Sequence, residues 1–251
     1  MKPMILFSVW LAATSTAIAQ PTKTVGRTIP LPATGSVTLE THNGSIDVQT
    51  WDRAEIEIHA GIQAAGTWSD DVRRFDQTTV DIQSTADSVW IKSRYPTFTT
   101  WTWFGSNAPI DYKITAPKTA RWTIYDHNAS VDVRGVQGAI TIETHNGRVH
   151  LSDVAGPLRV GAHNGSVTGD LASFHGAEFT SHLGSLDLTL PSTAAFHLQA
   201  DSRRGSVQSD FPLAIRMLGR RHTTVDGEVN GGGPSLRFHS HAGKLRLQSK
   251  N

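Results

Sequence analysis

Four histidines stand at a nearly constant spacing in the middle of the chain. They are His127, His145, His163 and His182, and the interval between neighbours hardly varies. Imidazole titrates near neutral pH and is a common nitrogen ligand of transition metals. A row of imidazoles could therefore bind a metal ion or respond to mild acid.

Each of these histidines begins a short repeat motif that ends in Val or Leu. In three copies an asparagine comes second, at Asn128, Asn146 and Asn164. The motif also begins at His42 and His241, and it occurs with an arginine in first place at Arg203. Asn-Gly tolerates positive φ, so we interpret each copy as a turn that leads into a strand.

A fixed interval of roughly 20 residues predicts a repeat architecture in which each copy contributes one coil. Apolar residues alternate after the motifs, as in Val131 and Val133, which is typical of strands. Stacked coils place equivalent strands ~4.8 Å apart, so their backbone groups can pair. We therefore predict an all-β fold, a parallel β-solenoid with coils of about 18–21 residues. A β-sandwich is the alternative, because turns about every 8–10 residues suit it too.

The inward side chains of these coils should form one apolar column. The predicted members are Val131, Val133, Ile140, Ile142, Val149, Leu151, Leu158, Val160, Val167, Phe179, Leu186, Leu188, Phe196 and Leu198. The same stacking would align the four histidines and three asparagines as a structural ladder. We predict no metal and no cofactor there, because ladder spacing is wider than two nitrogens need around one ion.

Residues 1–19 have the composition of a secretory signal peptide. Lys2 precedes an apolar run that is too short to span a bilayer, and small residues precede a predicted cleavage after Ala19. The mature chain is expected to be exported without a transmembrane segment, to the periplasm, the cell surface or the medium. After the signal peptide we predict an exposed lead-in over residues 20–34 and one β-solenoid domain over residues 35–251. The coils of this domain should be irregular over 35–120 and regular over 121–251.

The charge and cysteine content of the chain limit the classes of partner and the interactions that can stabilise the fold. Lys and Arg number 23 and Asp and Glu 22, for a net charge of +1, so nothing in the charge favours nucleic acid. The chain has no cysteine, so an exported fold must be held by its core and its hydrogen bonds.

Two segments interrupt the alternating pattern and are the predicted contact regions. The first carries the aromatic residues Phe98, Trp101, Trp103 and Phe104. The second carries Arg216, Arg220 and Arg221. Exposed aromatic rings can stack on sugars or contact a protein, although these rings could instead cap the core. The expected partner is an envelope glycan or a surface or envelope protein.

Parallel β-helices also include polysaccharide-cleaving enzymes, so the outward position of each motif bears on catalysis. That position is occupied by Asp47, Asp132, His150, Thr168, Asp187, Gln208 and Arg246. We expect no two carboxylates on adjacent coils, which is the arrangement that glycoside hydrolysis needs. A nucleophile elbow is absent as well. We therefore predict that the chain is not an enzyme, with a polysaccharide-active β-helix as the alternative.

The chain resembles the bacterial putative-adhesin domain family, which comprises exported β-strand-repeat proteins of unknown function. The resemblance extends over about residues 35 to 250 and rests on three features. These are an early strand at Gly44-Ser45-Ile46, an alternating segment that ends at Pro117, and the coils with the pattern x-x-Gly-x-Val/Ile. It implies a right-handed β-solenoid at the envelope or cell surface and provides no catalytic residues. The expected function is a non-catalytic, adhesin-like scaffold or binding module, with an envelope-stress signalling accessory as a further alternative.

Overall fold

The computed structural model describes residues 20–96, 107–213, 215–218 and 222–250, so the predicted signal peptide lies outside it. The described strands are β1 (Thr22–Pro30), β2 (Ser36–Glu40), β3 (Gly44–Trp51), β4 (Glu55–Gln63), β5 (Thr79–Ser84), β6 (Ser88–Arg94), β7 (Ile110–Pro117), β8 (Arg121–Asp126), β9 (Ser130–Arg134), β10 (Ile140–Thr144), β11 (Arg148–Val154), β12 (Leu158–Ala162), β13 (Val167–Leu171), β14 (Ala177–Ser181), β15 (Ser185–Pro191), β16 (Phe196–Ser202), β17 (Val207–Ser209), β18 (Ile215–Leu218), β19 (His222–Val229), β20 (Ser235–Ser240) and β21 (Lys244–Lys250). A short helix, α1 (Ser69–Gln77), follows β4. Across the described ranges, no helix has the length and apolar character to cross a bilayer.

The strands form two large mixed sheets, which confirms the predicted all-β class. Sheet A has the order β1-β4-β7-β3-β9-β11-β13-β15-β21-β17. Sheet B has the order β18-β19-β16-β20-β14-β12-β10-β8-β2-β6-β5. From β8 through β17 the chain alternates between the two sheets, so each coil supplies one strand to each.

Equivalent residues of successive coils pair in parallel. In sheet A, Val149 is the register partner of both Val131 and Val167, as the repeat spacing requires. In sheet B, Ile140 pairs in the same way with Leu158. The period of the sequence is therefore the period of the backbone pairing in this region.

The stacking order departs from the chain order at both ends. At the first end, β2 and β3 lie directly on β8 and β9, although β4, α1, β5, β6 and β7 intervene in the chain. The intervening chain adds β6 beside β2 and β7 beside β3. At the other end, the last two strands, β20 and β21, lie between the β14/β15 coil and the β16/β17 coil.

A glycine-rich turn accounts for the displaced C-terminal coil. β19 runs antiparallel to β16 along one edge, and β20 runs parallel to β16 along the other. The chain must therefore cross the end of β16 between Val229 and Ser235. Asn230, Gly231, Gly232 and Gly233 all have positive φ there, at 50°, 87°, 80° and 159°. Such angles are accessible to glycine at little cost, so this segment can reverse direction within a short stretch of chain.

The core lies between the sheets and contains every residue predicted for it. All fourteen predicted inward side chains are at most 5% exposed. The largest fully buried side chains are Trp122 and Tyr112, toward the N-terminal end of the stack. The alternation of apolar residues was therefore a reliable guide to which face of each strand is buried.

Most of the segment predicted as an exposed lead-in, residues 20–34, forms β1, a largely exposed strand at the edge of sheet A. β1 pairs antiparallel with β4 along its whole length, from Thr22 opposite Gln63 to Pro30 opposite Glu55, and Leu31 is fully buried. Without β1, the outer edge of β4 would expose a row of unpaired backbone groups. That pairing explains why a mostly exposed segment is nevertheless a regular strand.

Candidate functional site

The four predicted histidines are brought together in a stack that has six members. It runs from His42 through His127, His145, His163 and His182 to His241. Neighbouring ring centroids are 4.6–5.0 Å apart and neighbouring planes differ by 3–6°. His42 and His241 were not predicted to join the ladder, because sequence reasoning took the coils to stack in chain order.

The geometry of the stack makes a shared metal ion unfavourable. The in-plane lone pairs of parallel stacked rings point side by side, so adjacent imidazoles do not converge on one position. In the part of the chain that the structure describes, no cluster of three or more His, Cys, Asp or Glu side chains could hold a metal ion. At the end of the stack, Tyr95 contacts the ring of His42 edge-on, with the two ring centroids 6.0 Å apart.

The asparagines form a second ladder beside the histidines, and Asn43 extends it by one member. Asn128 donates a side-chain hydrogen bond to Asn43, Asn146 to Asn128, and Asn164 to Asn146, at 3.0, 2.8 and 3.0 Å. Each interior amide therefore uses its donor on one coil and its acceptor on the next. The next position along the ladder is Leu183, which cannot continue these bonds and is 49% exposed.

In the coils of His127 and His145, a buried polar residue precedes the histidine and closes the turn. Asp126 accepts the backbone N–H of Ala129 at 2.7 Å, and Thr144 accepts that of Gly147 at 2.9 Å. The Thr144 hydroxyl in turn donates to Asp126 Oδ2 at 2.9 Å. These turns are therefore held by side-chain caps, and the caps of adjacent coils are connected.

Two ionisable groups in this region have displaced pKa values. Burial raises the pKa of the Asp126 carboxyl, although hydrogen bonds from Ala129 and Thr144 partly oppose the shift. Burial, followed by the neighbouring His127 ring, lowers the pKa of His42, and Asp126 opposes that change. Both shifts disfavour the charged forms of these groups, which is the expected consequence of packing coil on coil.

The motif glycines are required by the close approach of the coils, which corrects their interpretation as positive-φ turn residues. Gly147, Gly165 and Gly184 do not have positive φ. A Cβ atom on Gly165 would lie 2.0 Å from the carbonyl oxygen of Gly147, and one on Gly184 would lie 2.1 Å from that of Gly165. The positive-φ explanation holds at Gly44, whose φ is 120°.

The outer face of sheet A carries a pair of carboxylates that sequence reasoning excluded. Asp47 on β3 and Asp132 on β9 are direct register partners, so the expectation that no carboxylates occupy adjacent coils is wrong. The two residues are distant in sequence, and chain-order stacking separated them. They line a groove of about 510 Å³ together with Asp111, Lys113 and Arg134. Lys113 is the register partner of Asp47 on its other side.

The outer face of sheet B carries exposed aromatic residues that sequence reasoning also missed. Trp90 on β6 is 43% exposed and Tyr125 on β8 is 42% exposed. Between these strands lies β2, whose Thr38 pairs with Trp90 and whose Glu40 pairs with Tyr125. A shallow depression of about 350 Å³ adjoins Trp90. In the sequence both aromatic residues fit the outward positions of ordinary alternating strands, so nothing singled them out.

The two predicted contact regions lie largely outside the described residues. This applies to Phe98, Trp101, Trp103, Phe104, Arg220 and Arg221. Arg216 belongs to β18, at one edge of sheet B, where its backbone pairs with Thr224. Binding by these residues stays a prediction.

No protein-family model and no curated protein matches the chain. Its fold is similar to that of a putative cell adhesion protein from Clostridium sporogenes, with 10% identity, coverage of 91% of this chain and 100% of that one, and a TM-score of 0.47. A putative adhesin from Bacteroides fragilis shares 11% identity, over 90% of this chain and 97% of that one, with a TM-score of 0.29. A putative lipid binding protein from Parabacteroides distasonis shares 10% identity, over 89% and 96%, with a TM-score of 0.25. Two of these three proteins are described as adhesion proteins, as is the family that the sequence resembles.

Proposed function

We propose that this chain is an exported, non-catalytic, adhesin-like β-solenoid whose sheet faces bind a component of the bacterial envelope or cell surface. The supporting observation is the in-register parallel stack, in which Val131, Val149 and Val167 are successive rungs. In a β-sandwich, neighbouring strands are joined mainly by antiparallel pairing, so the parallel rungs favour the solenoid. Such a stack presents long, flat rows of side chains suited to an extended ligand.

The ladders support a structural role for the repeated polar residues. Asn146 uses its side-chain donor on Asn128 and its acceptor on Asn164, so the interior amide is engaged on both sides. The imidazoles face one another along the stack. The repetition is thus used to hold coils together, and the sheet faces remain as the surfaces available for recognition.

Binding by the mature chain, residues 20–251, tests this function. We expect it to bind a component of an envelope glycan array or of an envelope-protein extract, and a signal-bearing precursor to be exported when expressed in bacteria. A variant with Trp101→Ala and Trp103→Ala would lose this binding if the aromatic segment is the contact region. Retention of the precursor inside the cell, or no binding to either class of component, would contradict the proposal.

A polysaccharide-cleaving enzyme is the second candidate, and the Asp47–Asp132 pair favours it. Register partners on neighbouring parallel strands lie ~4.8 Å apart, which is compatible with the carboxyl separation of about 5–5.5 Å in retaining glycosidases. Lys113 stands in the same row beside Asp47, so the pair also fits a structural surface on which a cation partly offsets the two carboxylates. On our proposal, incubation of the protein with polysaccharides should release no new reducing ends. If reducing ends are released, and if Asp47→Asn and Asp132→Asn each abolish that release, the chain is an enzyme instead.

A further inference from the structure

We propose that the Trp90–Tyr125 face of sheet B is a binding site for an uncharged polysaccharide. This inference rests on the proposed binding function and assigns it a surface and a class of ligand. The face is defined by the outward residues Trp90, Lys92 and Arg94 of β6, Thr38 and Glu40 of β2, and Tyr125 of β8.

The aromatic residues supply the stacking surfaces. An indole or phenol ring left in water on a flat sheet offers an apolar face to the C–H side of a sugar ring. Trp90 and Tyr125 are separated by two strand spacings and by two positions along the strand, which places their Cα atoms about 12 Å apart. Two rings at this separation can contact alternate units of one extended chain, as a flat polysaccharide site requires.

The polar residues between the aromatic rings supply hydrogen bonds. The Thr38 hydroxyl and the Glu40 carboxylate stand on β2, between the two aromatic strands. Gln83 and Asp81, on β5, line the depression on the other side of Trp90. Hydroxyl, amide and carboxylate groups around an aromatic ring are the donors and acceptors that sugar hydroxyls need.

The charges on this face are paired with one another, so the ligand should be neutral. Lys92 forms an ion pair with Glu40, and Arg94 forms one with Asp81 at 3.1 Å. With Asp81 of β5 included, two cations thus meet two anions around Trp90, which leaves no net charge there to attract an acidic or basic ligand. Paired side chains of this kind are also held in position, which lowers the entropy lost when a sugar binds.

Affinity electrophoresis of the mature chain in gels that contain a soluble polysaccharide tests the assignment. The probes are the neutral polymers laminarin, xyloglucan and galactomannan, with alginate and polygalacturonate as acidic comparisons. We expect retardation by at least one neutral polymer, and about tenfold weaker binding for Trp90→Ala. Tyr125→Ala should weaken binding as well, and Trp90→Phe should restore part of it.

Trp68→Ala is the matched control, because Trp68 is 80% exposed and lies outside this face. It should bind as the unaltered chain does, and far-ultraviolet circular dichroism should show the same spectrum for all variants. Unchanged binding by Trp90→Ala, or retardation by the acidic polymers alone, would overturn the assignment. If no polysaccharide binds but an envelope protein is captured, this inference fails and the proposed binding function survives; if neither binds, both fail.

Discussion

Single residues in this chain are constrained mainly by the distance between coils. The glycine of the repeat motif was evident in the sequence, but its reason was not. Sequence reasoning attributed it to positive φ, whereas a Cβ on Gly165 would overlap the carbonyl oxygen of the coil before it. Interatomic distances between successive coils are a property of the stack, so they could not be read from a local motif.

Replacing Gly165 by alanine should therefore destabilise the fold strongly. The added Cβ would lie 2.0 Å from the Gly147 oxygen, and the backbone must shift to relieve the overlap. We expect a loss of about 3 kcal/mol in the free energy of unfolding, measured by urea denaturation. Gly161→Ala is the matched control in the same coil, since its Cβ would meet only Glu143 Cγ, at 3.8 Å. Equal losses in the two variants would show that close coil approach is not the cause.

Asp126 should contribute a pH-dependent destabilisation. Because burial raises its pKa in the folded state, the folded chain keeps a proton that the unfolded chain has already lost. The free energy of unfolding therefore falls as pH rises through that window, and the full deficit is present once the pH exceeds the folded-state pKa. Threonine, which caps the equivalent turn at Thr144, can accept the same N–H without a charge.

We expect Asp126→Thr to be more stable than the unaltered chain at pH values above the folded-state pKa of Asp126. The difference should shrink as the pH is lowered through the range in which Asp126 becomes protonated in both states. Urea denaturation at several pH values measures this. A gap that does not change with pH would assign the effect to packing rather than to the buried carboxyl.

At the scale of elements, strand positions and the buried face could be predicted from alternation, and the ladders from the period. Val131, Val149 and Val167 are rungs of one sheet because the same motif recurs at a fixed interval. The period did not indicate which coil follows which in space. The row of asparagine hydrogen bonds extends only as far as the motif keeps its asparagine, and it ends where leucine occupies the position at Leu183.

Leu183→Asn should extend the asparagine ladder by one member. The backbone already places residue 183 in the equivalent position, since its N–H bonds to the His163 carbonyl just as that of Asn164 bonds to His145. We expect a gain of about 0.5–1.5 kcal/mol in the free energy of unfolding, because an exposed leucine is replaced by a hydrogen-bonded amide. Leu183→Gln, whose longer side chain does not match the ladder, is the comparison. An equal gain for both would attribute the effect to polarity alone.

For the molecule as a whole, the account depends on the order in which the coils are stacked. The last coil, β20 and β21, pairs with β14 and β15 on one side and with β16 and β17 on the other. Sequence reasoning continued the repeats in chain order to the C-terminus, because nothing in a motif specifies its neighbour. The crossing depends on tertiary pairing of β16 with β19, which is a contact between distant residues.

Engineered disulfides measure the stacking order most directly, and the absence of native cysteine keeps the experiment clean. Residue 242 bonds through its N–H to the His182 carbonyl, which makes Ala242 the spatial neighbour of Leu183. The pair Leu183→Cys with Ala242→Cys should therefore oxidise readily to an intramolecular disulfide, detected by mass spectrometry of peptide fragments. The pair Leu183→Cys with Arg204→Cys should not, because the C-terminal coil lies between those residues. Ready oxidation of the second pair and not the first would mean that the coils follow chain order, and would contradict the stacking described for this protein.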